Sequence, residues 1–132
     1  MIGNRLFAFA AAAAFAGAAA LAMLVSPEPA LAAKFDGNWS MLVVTTQGHC
    51  GKIKIGMGIS HGRIYSTSGK FAFHRIQLAG RVTGSGQAKI NAVAGPRKAQ
   101  GIGRFLGRKA SGKWTGTGPS GVCSGIWTAV RA

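Results

Sequence analysis

The sequence predicts an all-β domain: a small antiparallel meander of seven or eight strands, closed as a barrel or folded as a sandwich, with one disulfide. Three observations lead to this prediction. Beyond residue 32, apolar residues recur with a period of two, as in half-buried antiparallel strands. Turn-forming residues separate these runs at intervals of roughly 8–15 residues. No stretch of residues 33–132 shows a sustained apolar period of 3.6 residues, so no helix is predicted there.

Residues 1–32 are predicted to form a cleavable secretory signal peptide. Arg5 precedes an uncharged run at 6–25, prolines interrupt the chain after it, and Ala30-Leu31-Ala32 supplies small residues for a signal peptidase. A retained membrane anchor is the alternative, because about 20 apolar residues span a bilayer. The run is mostly alanine, which is only weakly hydrophobic, so cleavage before Ala33 is the favoured interpretation. It leaves a single β domain without a transmembrane segment, located in the periplasm or secreted.

Two cysteines remain in residues 33–132, and an oxidising compartment favours their pairing as a Cys50–Cys123 disulfide. The bond would close a loop covering most of the domain, for which the chain-entropy model gives roughly 4 kcal/mol. That contribution matters because the core of so small a domain supplies slender stability. Two free thiols, or a metal site formed with His49, are the alternatives.

The clearest strand is 52–59, where Ile53, Ile55, Met57 and Ile59 alternate with lysine and glycine. In chain order the candidate strands are 39–46, 52–59, 76–82, 88–94, 100–106, 113–117 and 122–131. The predicted turns fall at Gly48, His61-Gly62, Ser68-Gly69, 84–86, Gly95-Pro96, Ser111-Gly112 and Gly118-Pro119. Two phenylalanines, Phe71 and Phe73, lie on the parity opposite to that of 76–82, which predicts a turn or bulge near His74.

Short motifs frame the two ends of the domain: F-D-G-N-W at 35–39, G-K-W-T-G at 112–116 and C-S-G-I-W at 123–127. The chain thereby resembles largely uncharacterised small exported β-rich proteins of Gram-negative bacteria with F-D-G-x-W, G-x-W-x-G and C-x-G-x-W motifs. The resemblance spans nearly all of residues 33–132. It implies export, a disulfide and an all-β fold. Some members carry labels relating to haem utilisation or adhesion, but this chain is more basic than expected of the group.

Catalysis finds little support in the sequence. Asp36 is the only carboxylate side chain of residues 33–132, which argues against glycoside hydrolysis by paired carboxylates and against an Asp-oriented triad. Asp36 itself is expected to bind nearby backbone amides in a turn. The three histidines, His49, His61 and His74, lack the spacing of a metal motif and are interpreted as exposed loop residues. We therefore expect a non-enzymatic protein with no metal and no cofactor.

The basic excess is the strongest functional signal. The whole chain has 16 Lys and Arg against 2 Asp and Glu, and only Arg5 and Glu28 of these precede residue 33. Ordinary soluble surfaces mix both signs, so the excess favours an anionic partner over a merely solubilising role. A run of six cations is the predicted anion-binding surface, in a hairpin bracketed by Gly95-Pro96 and Ser111-Gly112: Arg97, Lys98, Arg104, Arg108, Lys109 and Lys113. Alternation there predicts that Arg104 and Arg108 share an outer face with Ile102 and Leu106, while Ala99, Gly101, Gly103 and Phe105 turn inward.

The predicted function is that of an exported binding or envelope-structural protein. Its partners would be anionic surface polymers such as lipopolysaccharide, acidic polysaccharide or anionic lipid headgroups. One alternative is a small-ligand carrier, with haem as a candidate ligand, that uses the interior of a β-barrel. Another is an extracellular nucleic-acid binder, although nonspecific binding of nucleic acid is expected of any protein this cationic. The sequence leaves the oligomeric state open.

Overall fold

The computed structural model describes residues 33–132 and shows a closed antiparallel barrel of eight strands with one disulfide. The predicted signal peptide, residues 1–32, lies outside the described residues. After a short 3-10 turn at Ala33–Phe35 come β1 (Gly37–Gln47), β2 (Lys52–Ser60), β3 (Arg63–Ser68), β4 (Lys70–Phe71), β5 (His74–Arg75), β6 (Gln77–Val82), β7 (Gln87–Ala94), β8 (Arg97–Leu106), β9 (Lys109–Gly118) and β10 (Gly121–Arg131). Within this range no helix has the length and hydropathy needed to cross a membrane.

The barrel is an up-and-down meander. Its strand order is β1-β10-β9-β8-β7-β6-β3-β2, every neighbouring pair is antiparallel, and β1 closes it by pairing with both β2 and β10. β4 and β5 form a separate hairpin between β3 and β6. In a closed barrel every strand pairs with a neighbour on both sides, whereas a sandwich leaves the backbone N–H and C=O groups of its edge strands unpaired. Of the two predicted architectures, the barrel is therefore confirmed and the sandwich is wrong.

Most predicted strands and turns are confirmed; the exceptions are one barrel strand and the short hairpin β4–β5, which were not predicted as strands, and one misplaced turn. The sequence analysis missed β3 (Arg63–Ser68), which is short and has only one buried residue, Ile64. The predicted turn at Ser111-Gly112 is also wrong, because both residues lie inside β9 and the chain turns at Gly107-Arg108 instead. Gly112 is needed for packing: a Cβ there would lie 2.6 Å from Nε1 of Trp127.

The predicted change of phase near His74 is a tight turn. Ala72 and Phe73 connect β4 to β5 and both have positive φ, 49° and 69°. Two successive residues of this kind are typical of a type I′ hairpin turn. The turn leaves Phe73 fully exposed and reverses the chain, so that Phe71 and Ile76 both reach the barrel core.

One end of the barrel, here called the packed end, is filled by aromatic rings. The 3-10 turn places Phe35 under the barrel, where its ring lies 5.5 Å from that of Phe105. Trp39 and Trp127 surround the same phenylalanine at 4.8 and 6.1 Å between ring centroids. Trp39 also donates a hydrogen bond from Nε1 to the carbonyl oxygen of Phe35 at 2.9 Å. These contacts exclude space for a ligand at this end.

The opposite end, here called the open end, carries the β1–β2 loop, the β4–β5 hairpin and the β7–β8 and β9–β10 turns. The Cys50–Cys123 disulfide lies there and ties the β1–β2 loop to β10. Its cysteines are 73 residues apart in sequence and 6.2 Å apart between Cα atoms. The predicted disulfide is thus confirmed, and the two alternatives, free thiols and a metal site, are removed. Behind it an apolar cavity of about 110 Å³ extends into the barrel.

Candidate anion-binding surface

The cationic side chains lie on the outer face of the barrel because of strand alternation. On β8, Ile102, Arg104 and Leu106 are exposed, whereas Phe105 between the last two is buried. The side of β8 that carries Ala99, Gly101 and Gly103 is the less exposed one, so the predicted parities are confirmed within the strand. Arg108, which was predicted to share the outer face with Arg104, lies in the β8–β9 turn instead. In residues 33–132 no charged side chain belongs to the buried core.

The six predicted anion-binding residues do not form one cluster. Arg97 and Lys98 begin β8 at the open end, whereas Arg104, Arg108 and Lys109 lie around the β8–β9 turn at the packed end. Lys98 and Arg104, the nearest members of the two groups, are six residues apart on β8, which corresponds to about 20 Å along the strand. Lys113 lies between them, exposed in the middle of β9. The run that is continuous in sequence is therefore divided between the two ends of the barrel.

A strip of aliphatic side chains, interrupted by Ser40 and Thr128, lies on the outer face of β1 and β10. The exposed fraction is 46% for Ile126 and 49% for Val130, and Leu42 and Val44 beside them are half-buried. Val44 is the register partner of Ile126. The inner face of β10 is also apolar, since Trp127 and Ala129 are both buried in the core. This strand is therefore apolar on both faces, although only one faces the core.

Lysines border the aliphatic strip on both sides. On β2, Lys54 and Lys52 are the register partners of Leu42 and Val44. On β9, Lys113 and Lys109 are the partners of Ile126 and Val130. We call this set the lysine-bordered face: Leu42, Val44, Lys52, Lys54, Lys109, Lys113, Ile126 and Val130. Three strand spacings separate the two lysine rows, which corresponds to about 14 Å along the sheet.

Two more exposed aliphatic residues extend this face across β8. Ile102 is 61% exposed and pairs with Lys113, and Leu106 is 79% exposed and pairs with Lys109. Arg104 lies between them on the same outer face. Aliphatic and cationic side chains thus lie side by side across five neighbouring strands, β2, β1, β10, β9 and β8, an arrangement that ordinary solubilising charge does not require.

A second basic feature lies on the other side of the barrel. It consists of three exposed cations on neighbouring strands. Arg63 of β3 is the register partner of Arg81 of β6, which is in turn the partner of Lys89 of β7. Like charges directly opposite each other in a sheet are destabilising. We call these three residues the basic row. Arg63 and Arg81 have no aliphatic register partner, whereas Lys89 pairs with Ile102 of β8, where the row meets the extended lysine-bordered face.

Asp36 does not neutralise either feature. Its Oδ2 accepts a hydrogen bond from the backbone N–H of His61 at 2.7 Å, and Oδ1 accepts one from Gly62 at 3.1 Å. Both donors belong to the β2–β3 turn, so the prediction that Asp36 binds backbone amides is correct, but the amides are 25 and 26 residues away. The charge on the outer faces is therefore uncompensated by carboxylate side chains within residues 33–132.

Replacing Asp36 with alanine is expected to lower the free energy of unfolding by about 1–2 kcal/mol, because two hydrogen bonds to a charged acceptor are lost at a half-buried position. Urea unfolding of the variant measures the loss. Asn38→Ala is the control, since Asn38 is a close neighbour with an exposed side chain. Equal stability of the two variants would contradict the role assigned to Asp36.

The three histidines, His49, His61 and His74, are all exposed, as predicted, but His74 lies in strand β5 and not in a loop. Over residues 33–132 no three or more His, Cys, Asp or Glu side chains come together as metal ligands would.

The sequence predicted only two of the four lysines of the lysine-bordered face as anion-binding residues. Lys109 and Lys113 belong to the predicted anion-binding set, whereas Lys52 and Lys54 do not. The available signal was the alternation in β10, where Val122, Ile126 and Val130 lie on the parity opposite to Cys123 and Trp127. Apolar residues on both parities of a strand indicate a second apolar surface.

The arrangement defines a class of molecule: a small disulfide-bonded β-barrel with an uncompensated cationic outer face. Comparison with models of known protein families gives no match, and no curated protein matches this sequence.

Proposed function

We propose that this protein is an exported, non-enzymatic binding or envelope-structural protein that engages anionic surface polymers. The candidate partners are lipopolysaccharide, acidic polysaccharide and anionic lipid headgroups. The observation that carries the proposal is the lysine-bordered face, in which exposed aliphatic side chains lie between two rows of lysines. Export rests on the signal-like residues 1–32 and on the disulfide, which is typical of oxidising compartments.

The chemistry of the face favours a partner that is both anionic and apolar. Lysine has a long aliphatic stem that packs along apolar surface while its ammonium group reaches a phosphate. Each Lys near an anionic membrane surface contributes about 1 kcal/mol of attraction. Exposed Ile126 and Val130 add apolar contact at the boundary between headgroup and acyl chain. Phosphorylated lipids, including the lipid portion of lipopolysaccharide, therefore suit the face better than a purely polar polysaccharide.

Nucleic acid is a weaker candidate. Proteins that bind single strands stack bases on exposed aromatic rings. Here Trp39, Trp114 and Trp127 are at most 9% exposed and pack inside the barrel. The exposed rings of residues 33–132 are Tyr65 on β3 and Phe73 in the β4–β5 turn, which lie on separate elements and do not form a row of stacking platforms. Phosphate attraction to the basic row remains, so nonspecific and salt-sensitive binding is expected.

The test compares two variants that each lose four charges. The face variant carries Lys52→Gln, Lys54→Gln, Lys109→Gln and Lys113→Gln. The control variant carries Arg63→Gln, Arg75→Gln, Arg81→Gln and Lys89→Gln, at exposed positions on the other side of the barrel. On phosphatidylglycerol vesicles we expect the face variant to bind at least tenfold more weakly than the control variant.

A third variant separates lipid from polymer. Ile126→Thr keeps every charge, so it should weaken binding to phosphatidylglycerol vesicles but leave binding to alginate unchanged. Equal weakening of the two four-charge variants would mean that only net charge matters, and the assigned face would be wrong. Unchanged vesicle binding in both would remove the anionic-partner proposal altogether.

A further inference from the structure

The apolar cavity at the open end has a floor, walls and a mouth. Trp127 forms the floor, since its ring both lines the cavity and contacts the aromatic rings of the packed end. Val43, Ile53 and Ile76 line the walls. The Cys50–Cys123 disulfide and Phe71 lie at the mouth, together with the β9–β10 turn. The surface inside is almost entirely apolar, so the cavity favours an apolar group over water.

A cation is held at this mouth. Arg97 is half-buried and lines the cavity, and its guanidinium lies 5.3 Å from the ring centroid of Phe71. Its stem packs against Gly118, where a Cβ would come within 2.6 Å of Arg97 Cγ. The aromatic ring below and the glycine beside it thus hold the side chain over the opening. A cation–π contact of this kind stabilises the charge but leaves the guanidinium N–H groups free to bind an anion.

No carboxylate side chain within residues 33–132 is available to pair with Arg97. Asp36 lies at the packed end, where its oxygens bind the β2–β3 turn. An arginine fork recognises a carboxylate by two parallel hydrogen bonds. The open end therefore combines an apolar cavity with a positioned arginine whose charge no carboxylate side chain of residues 33–132 compensates.

We propose that the open end binds a small amphiphile, with its apolar part in the cavity and its carboxylate on Arg97. The volume of the cavity limits the size of the apolar part of the ligand. An engineered cavity of about 150 Å³ accommodates benzene in another protein, and pockets for drug-sized ligands measure about 300–1,000 Å³. A cavity of about 110 Å³ takes a short alkyl chain or a small ring and is too small for haem. No histidine of the described chain lines it either. This site is separate from the lysine-bordered face and does not depend on the proposed function.

The experiment uses straight-chain carboxylates from acetate to dodecanoate, with hexanol and hexylamine as head-group controls. Binding is followed by tryptophan fluorescence, because Trp114 and Trp127 line the cavity, and by NMR shifts of the lining methyl groups. We expect affinity to rise with chain length up to about hexanoate and then level off. Hexanoate should bind more tightly than hexanol, and hexylamine most weakly.

Two kinds of variant test the two halves of the site. Arg97→Gln should weaken hexanoate about tenfold and leave hexanol unchanged, whereas Arg104→Gln on the same strand should affect neither. Ala99→Leu fills the cavity and should abolish binding of both probes. Ala99 and Ala92 are cross-strand partners that both line the cavity, so Ala92→Leu serves as a second filling variant if the first unfolds.

Hexanoate binding that survives both filling variants, or no binding of any probe by the wild type, would overturn the site. Equal affinity for hexanoate and hexanol, unaffected by Arg97→Gln, would overturn the anionic head group. Vesicle binding is measured in parallel and should be unchanged in Arg97→Gln and Ala99→Leu. Failure of this site is thereby distinguished from failure of the lysine-bordered face.

Discussion

Removing the Cys50–Cys123 disulfide is expected to lower the free energy of unfolding by about 4 kcal/mol, because the bond closes a loop of 73 residues in the unfolded chain. Small domains have a total stability of about 5–15 kcal/mol, so the loss is a large fraction of the whole. The bond also joins the β1–β2 loop to β10 at the mouth of the cavity, the end without an aromatic plug. Opening it should therefore loosen the open end first.

Guanidinium chloride unfolding of the wild type, with and without dithiothreitol, measures this effect. Cys50→Ser with Cys123→Ser gives the same comparison by mutation. The reductant should have no further effect on the double variant, which controls for its action elsewhere. A wild-type midpoint that does not move on reduction would show that the barrel owes its stability to packing alone.

Replacing Phe105 with alanine is expected to cost about 3–5 kcal/mol, the range for deleting a large aromatic side chain from a packed core. Phe105 is 1% exposed, and three aromatic rings surround it: Phe35, Trp39 and Trp127. The cavity left behind would lie among these three large rings, which cannot all move in to fill it.

Leu106→Ala is the matched control, since the neighbouring residue on the same strand is 79% exposed. A surface substitution of this kind changes stability by about 0.5 kcal/mol or less. Thermal unfolding of the two variants makes the comparison. Similar midpoints would mean that the aromatic plug does not carry the stability of the packed end.

The sequence predicted those features that depend on local pattern. The alternation at 52–59 identified β2 because side chains in a strand point alternately to its two faces. The same rule placed Arg104 outside and Phe105 inside. Strand β3 could not be predicted in this way, because Ile64 is its only buried residue and a single apolar residue does not make an alternating pattern.

The turn predicted at Ser111-Gly112 is wrong because Gly112 has a packing role in the tertiary structure. Ser111-Gly112 has the composition of a turn, yet Gly112 lies in β9 beside Gly103 of β8, its register partner. Together they make room for Trp127, whose Nε1 donates a hydrogen bond to the carbonyl oxygen of Ile102 at 3.2 Å. A glycine that provides space for a distant side chain looks the same in sequence as one that provides a positive φ.

The amino-acid sequence by itself determined the all-β class, the pairing of its two cysteines and the excess of positive charge, because these follow from alternation, cysteine number and composition. The tertiary structure decided where that charge lies. Lys52 and Lys113 border one face only because β1 pairs with both β2 and β10 and closes the barrel. In the same way, Arg97 of β8 is held at the mouth of the cavity by contacts with two other strands, through Phe71 of β4 and Gly118 of β9. Contacts between residues distant in sequence depend on strand order and register, which no local pattern encodes.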